Sequence, residues 1–166
     1  MITFGGSQFD PGNGTQVADD PVADKNILAV FPFGEDRATL DRILKQSGCR
    51  LRFAWSLEDM QTVLRSYPIA AVISESRLPD GRTWRDVLET LLCLADPPPL
   101  VVADRLADDR LWAEVLNLGA YDLLIKPFHP AEVLRTVGMA CRCGNQLPAE
   151  PPAGLDAGAS KASGHS

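Results

Sequence analysis

Lys126 closes a short apolar run, Tyr121–Ile125, and Pro127 follows it at once. The run suits a buried strand, and a proline cannot continue one. The lysine ammonium therefore falls at the carboxyl end of a strand, the edge where open α/β sheets carry their sites. The other reactive residue types are scattered. Cys49 and Cys93 are isolated, and Cys141 and Cys143 lie two apart in a predicted helix, pointing to nearly opposite sides. His129 and His165 are not spaced to converge with them. The thiols read as structural, and no metal or other cofactor is expected.

The chain must position that lysine within 166 residues, a one-domain length able to bury a core. A net charge of −6 and a pI near 4.8 argue against binding a nucleic-acid backbone. No apolar run approaches the roughly 20 residues that cross a bilayer, and no basic-then-apolar leader opens the chain. The expectation is a soluble, cytoplasmic protein. Residues 1–24 and 145–166 are rich in Gly, Pro, Ala, Ser and acids without a sustained period, and read as flexible tails. One domain is expected over about residues 25–144.

Strand and helix patterns alternate through that domain. Strands are predicted at Ile27–Phe31, Arg50–Ala54, Ala70–Ser74, Leu100–Ala103 and Tyr121–Ile125. Helices are predicted at Arg37–Ser47, Leu57–Ser66, Thr83–Leu94, Ala107–Leu118 and from Pro130 to about Cys141. Ser56 is placed to cap the second helix, and Gly48 and Gly119 to stop the first and fourth. Val87, Leu88, Leu91 and Leu92 share one side of the third helix, and Leu111, Val115 and Leu118 one stripe of the fourth. Five β/α units in order imply a five-stranded parallel sheet with helices on both faces.

Leu78-Pro79-Asp80-Gly81, Gly119-Ala120 and Lys126-Pro127-Phe128, in this order and spacing, resemble the signature of the response-regulator receiver (CheY-like) family. The resemblance covers nearly all of residues 25–142 and implies a flavodoxin-like (βα)5 fold. It also implies a site: an acidic pair after the first strand for Mg²⁺, a phosphoacceptor aspartate, a Ser/Thr, an aromatic switch and a lysine. These positions fall here on Phe31 and Pro32, Glu75, Asp104, Leu123 and Lys126. Only the lysine is kept.

Those departures argue against phosphotransfer. Phe31 and Pro32 offer no oxygen to a hard cation, and Mg²⁺ supplies much of the charge neutralisation such a transfer needs. Glu75 is one methylene longer than aspartate, a displacement of about 1 Å that can cost a hundredfold in rate. Asp104 puts negative charge where a hydroxyl donor is needed. The chain is not expected to be an enzyme. Glu75 has two readings, a mimic of the phosphorylated state held by Lys126 or a remnant that merely pairs with Lys126 or Arg77. Arg77 either occupies the vacated metal space and bridges Glu75 and Asp104, or is a solvated loop arginine. Glu35 and Asp36 are read as opening the first helix, where their charge suits its dipole.

The remaining expectation is protein binding. In the family, the fourth helix, fifth strand and fifth helix form the output and dimerisation face; Trp112 and Leu123 are its candidate residues here. Trp55 and Trp84 are read as packing locally. The overall expectation is a stand-alone, degenerate receiver in two-component-type signalling, acting through protein contacts without phosphorylation. Two alternatives stay open: a receiver still phosphorylated on Glu75 or another residue, and a small flavodoxin-like nucleotide or flavin binder. The second lacks a Gly-rich or Ser/Thr-rich phosphate cradle.

Overall fold

The computed structural model describes residues 24–32 and 34–144. The expected tails, apart from Asp24, lie outside these residues. Ten elements alternate: β1 (Asn26–Val30), α1 (Glu35–Gln46), β2 (Arg50–Ala54), α2 (Leu57–Ser66), β3 (Ala71–Glu75), α3 (Trp84–Leu92), β4 (Leu100–Asp104), α4 (Asp109–Asn117), β5 (Asp122–Ile125) and α5 (Pro130–Gly144). The five strands form one parallel sheet in the order β2-β1-β3-β4-β5. The order reverses between β1 and β3, which makes the crevice beyond their carboxyl ends the topological switch point.

Alternating strand residues divide the core in two. Ile27, Ala29, Phe31 and Ile73 meet α1 and α5 through Leu40, Leu44, Val133 and Val137. Leu28, Val30, Val72 and Val102 meet α2, α3 and α4 through Met60, Val87, Leu91 and Val115. The sheet is therefore buried on both faces, which is why its strands read as continuous apolar runs rather than alternating ones.

Local chemistry sets the ends. Ser56 accepts from the Asp59 N–H at the start of α2, as expected. At α3, Thr83 is the cap rather than the first helical residue, in a reciprocal capping box with Asp86. Asp109, not Ala107, starts α4, and Asp108 is its N-cap, the carboxylate accepting from the Leu111 N–H at 2.8 Å. Gly119 follows α4 at φ +103, the left-handed region where a side chain would be strained.

Two helical stripes are narrower than expected. Leu92 and Leu118 face solvent, and α4 buries Val115 fully and Leu111 in part. Leu118 is the C-cap of α4, its N–H still donating to the Glu114 carbonyl at 3.0 Å, and its side chain is half exposed at the helix end. Trp84 is buried in the core, whereas Trp55 is exposed.

Candidate functional site at the C-terminal edge of the sheet

Lys126 stands immediately after β5, its backbone N–H still donating to Asp104 across the sheet at 2.9 Å, and its peptide bond to Pro127 is cis. The side chain is only 5% exposed, so its charge has to be met inside the protein. Two carboxylates meet it. Nζ donates to Glu75 Oε1 and, at 3.2 Å, to Asp36 Oδ2. Phe31 covers the group from the end of β1, with its ring centroid 5.6 Å from Nζ and 6.1 Å from the ring of Phe128.

Glu75 is the last residue of β3, and its side chain is 14% exposed. Burial pushes its carboxyl above the ordinary 4.5, against the opposing pull of the Lys126 hydrogen bond and charge. The negative charges of Asp36 and Asp104 raise it further.

Asp36 belongs to this site, which corrects the expectation that it serves only the helix start. It does sit with Glu35 in the first turn of α1. Its two carboxylate oxygens also accept from one Arg105 nitrogen at 3.0 and 2.9 Å, tying α1 to the loop after β4. A helix start at the sheet edge aims its first-turn side chains over the crevice, so the same position serves both roles.

Asp104, at the position where the resemblance expects a Ser/Thr, is held apart from the lysine. It does not bond Lys126; it accepts from the Ser76 hydroxyl and, at 2.6 Å, from the Leu106 N–H. Its short side chain is captured by the nearest donors on the loops flanking it. Arg77 is exposed, its backbone forming an isolated bridge with Thr83, and it makes no ion pair with Glu75 or Asp104 among the described residues. The solvated-loop reading of Arg77 matches this geometry, and the bridging reading does not.

Phe31 is buried, and Pro32 is half-buried beside it. Leu123, at the switch position, is buried against the α2–α4 side and cannot lie on an exposed partner face. Trp112, the other candidate for that face, is exposed on α4. The residues sequence reasoning missed are Asp36, Arg105 and Ser76. The available signal was an arginine directly after Asp104, in a loop that topology must bring to the sheet edge.

Mg²⁺, which the resemblance implies, does not fit these residues. The end of β1 presents a phenyl ring and a proline, Glu75 and Asp36 already bind cationic side chains, and Asp104 accepts two protein donors. A small cation demanding near-octahedral oxygen ligands has no such set here. What the edge holds instead is an alternating row of charges: Glu75, Lys126, Asp36 and Arg105.

No family model matches the chain. Solved structures do. A two-component response regulator from Clostridium difficile superposes with a TM-score of 0.61 at 22% identity, covering 74% of this chain and 100% of that one. A chemotaxis response regulator of Vibrio cholerae gives 0.63 at 18% identity, over 71% and 99% of the two chains. The signal receiver domain of a signal transduction histidine kinase from Syntrophus aciditrophicus gives 0.63 at 19% identity, over 78% and 98%. Strand order, helix placement and these superpositions agree: the chain has the fold of a response-regulator receiver domain.

Proposed function

We propose that this chain is a degenerate receiver, a signalling module that binds a protein partner without being phosphorylated and catalyses no reaction. The observation that supports this best is the salt-bridged row at the sheet edge. Glu75, at the phosphoacceptor position, is bonded to Lys126, and Arg105 and Asp36 fill the neighbouring space. A phosphoryl group arriving there meets no metal ligands, a carboxylate one methylene too long and a second acid at Asp104. In a receiver fold stripped of that chemistry, surfaces are what is left to carry a signal. The proposed setting is the cytoplasm, with a protein of a signalling pathway as partner; self-association through the α4–β5–α5 face is part of the same proposal.

The test is incubation of the full chain with acetyl phosphate, and separately with beryllofluoride, in the presence of Mg²⁺. The expected outcome is no covalent adduct by intact-mass measurement and no change in tryptophan fluorescence. A phosphoryl group mapped to Glu75, or to any other side chain, overturns the proposal and favours the atypical but phosphorylatable receiver.

A further inference from the structure

A cleft of about 870 Å³ opens between the β3–α3 and β4–α4 loops, lined by Ser76, Arg77, Trp84, Leu106, Leu111 and neighbouring charged residues. Three of those neighbours and liners are arginines, Arg77, Arg85 and Arg105, all exposed. Arg85 pairs with Glu114, and Arg105 with Asp36. Arg77 has no ion-pair partner among the described residues. The acids of the inner wall are already engaged: Glu75 is bonded to Lys126, and Asp104 to Ser76 and the Leu106 N–H. The cleft thus offers one uncommitted guanidinium beside apolar surface, on a chain that is acidic as a whole.

Leu106 is 86% exposed, yet its backbone is held. Its N–H donates to Asp104 at 2.6 Å, and the preceding Arg105 is clasped to Asp36 on α1. An exposed leucine on a loop fixed by these two contacts loses little freedom when another molecule covers it. Guanidinium groups select carboxylates by paired hydrogen bonds, which gives the cleft a charge preference as well as an apolar one.

We propose that this cleft docks a short segment of a partner protein in which a carboxylate side chain lies next to an apolar one. The carboxylate binds Arg77, and the apolar side chain covers Leu106 and Leu111. The inference rests on the reading of the chain as a phosphorylation-independent interaction module. It assigns the partner to the side of α3 and α4 that adjoins the sheet edge, distinct from the α4–β5–α5 face.

The experiment is selection of a random short-peptide display library on the immobilised full chain. Enriched peptides are then synthesised, and their affinity is measured by fluorescence anisotropy. Enriched sequences should place Asp or Glu within two positions of Leu, Ile or Phe. Their affinity should fall about tenfold or more for Arg77→Glu and for Leu106→Asp, the loss expected of central contacts. Both substitutions are at exposed positions, and an unchanged circular dichroism spectrum and melt confirm that each variant is folded. Enriched peptides that are basic, or that bind both variants as tightly as the parent, overturn the docking site, as does the absence of any enrichment. Peptides bound on another face leave the interaction-module reading standing, whereas a phosphoryl adduct in the acetyl phosphate assay removes that reading whatever the peptides do.

Discussion

The carboxyl edge of the sheet has two halves that handle charge in opposite ways. Over β1, β3 and β5, the Phe31 ring, itself packed on Phe128, covers Lys126, and the ammonium is bonded to two acids. Over the β3–α3 and β4–α4 loops the edge is an open cleft, where Arg77 stays exposed without an ion pair among the described residues. Water accounts for the contrast. A charge shut behind apolar rings needs a partner, because desolvation is costly. An exposed charge is already solvated, and pairing it adds little. The closed half thus meets its charge inside the protein, and the open half leaves a guanidinium to water.

The strongest way to break this comparison is Phe31→Asp, which puts back an acid where the resemblance expects one. It removes the ring packed on Phe128 and adds a third carboxylate near Glu75 and Asp36 with no new cation. The expected loss is about 3–5 kcal/mol, the range for emptying a buried aromatic site, measured by denaturant unfolding. A loss under about 1 kcal/mol would mean that water hydrates the new acid, and that the two halves do not differ.

Lys126→Met sharpens the comparison. Asp36 keeps Arg105, but Glu75 loses its cation. The expected cost is about 3 kcal/mol, the low end for breaking a buried pair, since Glu75 retains some exposure. The loss should depend on pH. Because Glu75's carboxyl is raised above 4.5 in the folded chain, only between 4.5 and that raised value does the folded state hold a proton that the unfolded state has released. Stability from this group is therefore greatest below 4.5 and falls as pH rises through the folded value. Lys126 is what opposes the upward shift, so its removal extends the window to higher pH. Thermal unfolding should show the deficit of Lys126→Met shrinking from about pH 7 to about pH 5, and Glu75→Gln in that background should flatten the curve. A deficit independent of pH assigns the effect to packing alone.

Arg105→Ala should be the mildest change. The pair with Asp36 is mostly solvent-exposed on the arginine side, and Asp36 retains Lys126. A loss of about 0.5–1 kcal/mol, diminishing with added salt, is expected from paired melts at low and high ionic strength. A loss above about 2 kcal/mol that salt does not reduce would move Arg105 into the closed half.

Much of the fold was legible because it depends on short-range pattern. Apolar runs of about five residues alternating with helical periods announce a parallel sheet buried on both faces. Ser56 and Gly119 act through neighbours a few positions away, and both behave as their residue types dictate. The errors fell at places where several local patterns compete. Leu118 continues the helical period of Leu111 and Val115, but as the C-cap of α4 it stands at the helix end, exposed to solvent. Leu123 was placed on a partner face because of its family position, although an apolar residue in a strand covered by helices is buried by default.

The site divides the same way. Sequence alone determined that a lysine stands at the end of the last strand and that no acid pair follows the first. These are statements about residue type at the end of an apolar run. Tertiary structure alone decided who meets the lysine. Glu75, Asp36 and Lys126 are brought together from 51 and 90 positions apart, and Arg105 reaches Asp36 across 69. Asp104, also at that edge, turns instead to the donors beside it. The reason is range: strand and helix periods follow from backbone sterics over a few residues, whereas an ion pair depends on which side chains the folded chain brings within about 3 Å and on how much water remains around them.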